Sequence, residues 1–137
     1  MSYLDITRAQ LMADEGNKRF PYRCTAGKLT IGVGRNLDDV GISDDEIKYL
    51  LNNDIYRAEI AARTLFPSFD SLSDARKAVL INMAFNLGQT RLAGFKRLRE
   101  AVEAKAWEQA AVEMLDSKWA VQVGQRAQRL AQQMRQG

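Results

Sequence analysis

Histidine is absent from this 137-residue chain, which also holds one cysteine and two prolines. No apolar run is long enough to cross a bilayer. Each shortage excludes something. One cysteine rules out an internal disulfide. Without histidine it cannot anchor a zinc site either, so neither a metal nor another cofactor is expected. Ser-His and Cys-His nucleophilic pairs are excluded as well. Any acid–base chemistry must fall to carboxylates, the thiol, lysine or tyrosine. The start, Met1-Ser2-Tyr3-Leu4-Asp5-Ile6-Thr7-Arg8, lacks the basic-then-apolar layout of a signal peptide. The expectation is a protein made and left in a cytoplasm, without membrane insertion.

What is present suits one soluble globular domain. Hydrophobic residues make up 46% and charged residues 27%, enough to bury a core and cover it. The formal net charge of +3 favours anionic polymers, a cell wall or a nucleic acid, without choosing between them. The charge is uneven. Residues 1–37 carry six basic and three acidic side chains, residues 38–66 three and seven, residues 91–137 nine and five. An acidic middle is flanked by two basic regions, and most of these charges belong to solvated helix faces.

The pattern along the chain predicts a predominantly α-helical α+β protein. Leu4, Ile6, Leu11 and Met12 have helical spacing, and Gly16 suits a helix end after Glu15. Pro21 and the turn signal Thr25-Ala26-Gly27-Lys28 interrupt the helical pattern. Leu29-Thr30-Ile31-Gly32-Val33 alternates like a short strand, giving a two-stranded unit followed by a loop over residues 35–42. Ser43-Asp44-Asp45-Glu46 is a capping box that opens a helix running to about Leu65. Ser73-Asp74 opens another that ends at Gly88. Its Val79, Leu80, Met83 and Ala84 make it apolar on more than one side, hence central and buried. Three further helices are expected near residues 95–104, 107–115 and 125–135.

The candidate chemistry lies in residues 15–34. Glu15 ends an amphipathic helix, near the negative end of its dipole, where partial burial would help keep it protonated as a general acid. Cys24 follows after eight residues and Thr30 after five more. A thiol needs a lowered pKa to act as a base or nucleophile near neutral pH, and Arg19, Arg23, Lys28 and Arg35 are close in sequence. Because Cys24 precedes a turn, it is expected partly exposed. Thr30 places a hydroxyl on the strand, by alternation on the side of Gly32 and Gly34, where it can hold a water or orient Cys24. Gly32 and Gly34 let a ligand approach the backbone. This Gly-x-Gly lacks the third glycine and βαβ context of a dinucleotide fingerprint. Taken singly, each residue also has a plain structural reading. The spacing of the three together favours a site.

Glu15, eight residues, Cys24, five residues, Thr30 resembles the catalytic motif of the T-even-phage-type lysozymes, glycoside hydrolase family 24, in the form with Cys at the usual Asp position. Ala78-Val79-Leu80-Ile81-Asn82-Met83-Ala84-Phe85-Asn86-Leu87-Gly88 is similar to that family's central helix. Leu92-Ala93-Gly94-Phe95, Trp107-Glu108-Gln109-Ala110-Ala111 and Ser117-Lys118-Trp119 match further segments. The resemblance implies a lysozyme-like fold in one domain: a β-lobe at about 16–42, a linking helix at about 44–65 and a helical lobe at about 70–137. It implies an N-acetylmuramidase acting on the β-1,4 bond between N-acetylmuramic acid and N-acetylglucosamine in peptidoglycan. Glu15 would be the general acid, Cys24 the base or nucleophile, and Thr30 its orienter. Phe85, Asn86 and Gly32 would contact saccharide. Gln122 and Arg126 would support the acid, Arg126 by pairing with Glu15 and opposing the dipole and burial effects. Trp107 and Trp119 are expected in the core. The chain departs from the family pattern in a short 35–42 loop, in Arg35 where a histidine is usual, and in ending at Gly137, so the β-lobe is expected to be minimal.

By the same resemblance the chain is an endolysin. It would gather in the cytoplasm of an infected bacterium and reach the wall when a holin opens the membrane. Two other classes fit parts of the sequence. In a lytic transglycosylase Glu15 alone acts and the product is an anhydro sugar. A non-catalytic module would bind wall polymer or nucleic acid. Nucleic acid is disfavoured as a partner because the last helix dilutes Arg126, Arg129 and Arg135 with glutamines and carries no aromatic residue. No heptad seam or large apolar face is evident, so a monomer is expected.

Overall fold

The computed structural model describes residues 1–137. Helix accounts for 67% of them, with one small antiparallel sheet near the N-terminus, a lysozyme-like α+β architecture. The elements run α1 (Tyr3–Glu15), β1 (Lys18–Arg23), β2 (Leu29–Gly32), β3 (Arg35–Asn36) and α2 (Asp44–Leu65). After a single 3-10 turn at Phe69–Ser71 come α3 (Asp74–Leu87), α4 (Gln89–Ala93), α5 (Lys96–Glu103), α6 (Trp107–Leu115), α7 (Lys118–Val123) and α8 (Gln125–Gln136). No helix is long and apolar enough to cross a membrane. The chain forms two compact units, Met1–Tyr49 and Leu50–Gly137, with the boundary inside α2.

In the first unit a capping box opens α1. Ser2 Oγ accepts from the Asp5 N–H at 3.2 Å, and the Ser2 N–H donates to the Asp5 carboxylate at 3.2 Å. The helix stops at Gly16, whose φ of +81° suits only glycine and whose N–H closes the last turn on Met12. α1 buries no residue. The sheet has the order β1-β2-β3. β1 is an edge strand, which tolerates Pro21 and its missing N–H, and its register shifts between Lys18 and Tyr22. The third strand was not foreseen. β3 is only two residues long, falls where a loop was expected, and pairs Arg35 with Ile31 and Asn36 with Thr30.

The capping box at Ser43 opens α2 as the sequence indicates, with Glu46 Oε1 accepting from the Ser43 N–H at 2.8 Å. Arg35 adds to it. Its Nη1 donates to Glu46 Oε1 at 2.7 Å and to the Gly41 carbonyl at 3.1 Å, fastening β3 to the start of the helix. This pairing holds the Glu46 carboxyl at about 2, far below the usual carboxylate range, with the Ser43 backbone N–H and hydroxyl helping.

In the second unit the core is built around α3, α6 and α8. Val79, Leu80, Met83, Met114 and Met134 are fully buried, which bears out the central position inferred for α3. Ser73 Oγ caps α3 by accepting from the Arg76 N–H, and Gly88 ends it. Arg76 ties α3 to α8. It donates to the carbonyls of Met134 (2.8 Å) and Arg135 (2.9 Å) and lies 3.9 Å from the centre of the Trp107 ring. Trp119 is buried and Trp107 packs against the core, both as expected. Five short helices, not three, follow α3. α4 and α7 have five and six residues, too few to show a hydrophobic period.

Candidate functional site

Glu15, Cys24, Thr30 and Gly32 all fall in the first unit. Glu15 is the last residue of α1, placed there because Gly16 cannot continue the helix. It is exposed, so the partial burial anticipated for it is not found. Its side chain lies against Gly34. A methyl group built on Gly34 would sit 3.0 Å from Glu15 Oε2, 3.2 Å from Cδ and 3.3 Å from Cγ.

Cys24 sits where β1 enters the turn to β2 and is half-buried. The turn is closed by two backbone bonds. The Cys24 N–H donates to the Lys28 carbonyl (3.0 Å), and the Gly27 N–H donates to the Cys24 carbonyl (2.8 Å). Closing the chain this way turns backbone donors toward the sulfur. The N–H groups of Lys28 and then Ala26 favour the thiolate, partial burial opposes them, and the Thr30 hydroxyl adds to the lowering. The thiol is therefore displaced below its usual value, by backbone groups and not by the neighbouring cations that the sequence suggested.

Thr30 is the one buried polar residue, 4% exposed. Its hydroxyl lies 2.9 Å from the Lys28 carbonyl, to which it donates. A hydroxyl has one proton, so it serves either that carbonyl or the sulfur. When it serves the carbonyl, its lone pairs are left to accept from a water or a protonated thiol. Thr30 and Cys24 are thus brought together through one turn. Gly32 (φ +67°) and Gly34 (φ +66°) differ from expectation. Both adopt left-handed backbone as β2 turns into β3, so strand alternation does not carry on to Gly34. Nothing lies within 4 Å of a Cβ at Gly32, which leaves room for a ligand, whereas Gly34 is occupied by Glu15.

The remaining candidates lie in the second unit. Phe85, near the end of α3, is 47% exposed. It borders a concavity of about 350 Å³ whose lining includes Asp54, Arg57, Ala58 and Gln89. Asn86 Oδ1 accepts from Trp119 Nε1 at 2.8 Å, leaving its NH2 group free for another acceptor. Gln122 on α7 is exposed, with Arg91 at 3.5 Å. Arg126, in the first turn of α8, directs Nε (3.0 Å) and Nη2 (2.7 Å) onto Asn82 Oδ1. No group of three or more cysteine, aspartate or glutamate side chains converges as a metal site would require.

Sequence reasoning missed the donors around Cys24, because they are backbone groups set by the turn. It also missed Asn82 as the partner of Arg126. Asp38 was missed too: its carboxylate accepts from the Leu29 N–H at 2.8 Å and fixes the start of β2. The only sequence signal for it was an Asp in a short loop.

A family model described as phage lysozyme matches residues 12–136, a span that includes every candidate residue above. The chain is similar to the proteins named "Probable T4-type lysozyme 2" and "Probable T4-type lysozyme 1" of Dictyostelium discoideum. It is 30% identical to the first over 150 aligned positions and 30% identical to the second over 149, covering 88% of each chain in both cases.

Proposed function

The chain belongs to the phage lysozyme family and is a glycoside hydrolase of the lysozyme type, and on that premise we propose that it cleaves the β-1,4 bond between N-acetylmuramic acid and N-acetylglucosamine in peptidoglycan. The observation that carries the residue assignment is the turn that gathers Thr30 and backbone N–H groups about the Cys24 sulfur, on the same unit as Glu15. An environment that favours the thiolate, in a unit that also carries a carboxylic acid, supports a catalytic part for Cys24.

Glu15 donates its proton to the glycosidic oxygen as the C1–O bond breaks, and positive charge develops at C1. Two routes complete the reaction. In the first, the Cys24 thiolate takes a proton from a water whose oxygen bonds to C1, and the configuration inverts. In the second, the sulfur itself bonds to C1. Water, giving a proton to the Glu15 carboxylate, then displaces it and the configuration is retained. Thr30 orients the water or the sulfur in either route. Phe85 stacks on a sugar face, Asn86 offers its NH2 group, and Gly32 leaves room for the chain of sugars. Gln122 and Arg126 support the acid. The biological role that goes with this reading is that of an endolysin. It works as a monomer, held in the host cytoplasm until a holin admits it to the wall.

Product analysis on purified peptidoglycan tests the reading. New reducing ends are expected, and their anomeric form immediately after cleavage separates the two routes. Anhydro-muramic products without reducing ends would replace the hydrolase with a transglycosylase. Cys24→Ala is expected to cripple hydrolysis and Cys24→Asp to retain much of it. Near-full activity in Cys24→Ala would remove the thiol from the mechanism.

A further inference from the structure

Gly34 stands apart from the other left-handed glycines of the first unit. Gly27, Gly32 and Gly41 have φ between +65° and +78°, and a Cβ on any of them would meet nothing within 4 Å. Those glycines are explained by the backbone alone. At Gly34 the space that a side chain would fill is already taken by Glu15. Three successive atoms of that side chain lie 3.0–3.3 Å from the Cβ position, closer than carbon and oxygen atoms normally rest. The contact runs along the acid from Cγ to Oε2, so it fixes where the carboxyl group lies and not merely where its stem begins.

We propose that Gly34 is a positioning residue for the general acid: its bare α-carbon is the seat on which the Glu15 carboxyl rests, and any side chain there moves the acid. The inference rests on the reading of Glu15 as the acid and goes beyond it by assigning what holds that group in place. The seat is itself held. Arg35, the next residue, is bound to Glu46 at 2.7 Å and to the Gly41 carbonyl at 3.1 Å, and it pairs with Ile31 across the β2–β3 ladder. The turn therefore has little freedom to shift and accommodate a new methyl group. Glu15 would have to give way instead, by a few tenths of an ångström or by turning to another rotamer, and a general acid moved off its productive line loses effect.

The test compares Gly34→Ala with Gly41→Ala, which carries a similar backbone strain but has open space at its Cβ. Turnover and KM are measured on a soluble peptidoglycan fragment, and thermal unfolding is measured for each variant alone and in a Glu15→Ala background. Gly34→Ala is expected to lower kcat at least tenfold with KM changed less than twofold, while Gly41→Ala keeps the wild-type kcat. Part of the melting-temperature loss caused by Gly34→Ala is expected to be recovered when Glu15 is alanine, because the clash is then gone. If Gly34→Ala folds only in the Glu15→Ala background, the contact is equally supported. Equal kcat in the two glycine variants overturns the inference. So does a melting loss that is the same in both backgrounds, or failure to fold in both. Should Glu15→Gln itself keep full activity, the acid assignment fails, and the melting cycle still decides separately whether Gly34 seats the side chain.

Discussion

Removing the guanidinium of Arg76 while keeping its bulk, Arg76→Met, tests how α3 and α8 are joined. Three interactions are lost: donations to Met134 O and Arg135 O at 2.8 and 2.9 Å, and the stacking on Trp107 at 3.9 Å. They are not equal. Met134 is fully buried, so its carbonyl has poor access to water, and orphaning it costs about 2 kcal/mol. Arg135 is half-buried in the last turn of α8, where water can replace the donor, so that loss is about 0.5 kcal/mol. The cation–π contact adds about 1 kcal/mol, less whatever packing methionine retains over the ring. A destabilisation of about 3 kcal/mol follows, which for a chain this size lowers the melting temperature by roughly 10 °C. Both tryptophans, Trp107 and Trp119, lie in the second unit, so urea unfolding followed by their fluorescence reports that unit. The midpoint should fall with the urea dependence unchanged. Arg76→Lys should recover less than half, because an ammonium cannot span both carbonyls and cover the ring. A change below about 1 kcal/mol in Arg76→Met would refute this account of the α3–α8 junction, on which the Arg126–Asn82 geometry also depends.

Three further outcomes follow from the structure. Glu46 is held at about 2 by Arg35, so its contribution to stability is complete above the ordinary carboxylate pKa and is lost as pH falls from there through about 2. A carboxyl titration by NMR should show that midpoint and its rise toward the ordinary value in Arg35→Ala. An ordinary midpoint in the wild type would contradict the pairing. Cys24 should ionise below its usual value, and Thr30→Val should raise it, slowing alkylation by iodoacetamide at neutral pH. Equal alkylation rates would remove Thr30 from the sulfur's surroundings. Phe85→Ala should raise KM about tenfold through the lost stacking and leave the fold intact, since the ring is 47% exposed; an unchanged KM would take Phe85 out of the substrate site.

The parts legible in the sequence are those written in side chains and local caps. Ser43 with Glu46, and Ser73 with Gly88, set the observed limits of α2 and α3, because cap residues act on backbone groups three or four positions away. α4 escaped notice because it begins directly at Gly88, the glycine that ends α3, and has no side-chain cap. α7 has a cap, with Ser117 Oγ accepting from the Ala120 N–H, but is too short to display a period. In the candidate site, the match of their spacing to the family motif selected Glu15, Cys24 and Thr30. What it could not supply was anything carried by the backbone: the N–H groups that favour the thiolate, and the bare α-carbon of Gly34 under Glu15. Those depend on turn geometry, and the sequence showed only that turns were present. The Arg126–Asn82 and Trp119–Asn86 bonds were hidden for a different reason. They join residues more than thirty positions apart, with no local pattern to announce them.

The central claim is that this chain breaks glycosidic bonds through Glu15. It is tested most directly by the rate at which wild-type protein and Glu15→Gln release new reducing ends from purified peptidoglycan, at equal concentrations of folded protein as judged by tryptophan fluorescence. The account predicts release by the wild type and a loss of at least about a hundredfold in the variant, the least expected from removing a general acid. Release by Glu15→Gln at a rate close to wild type would contradict it.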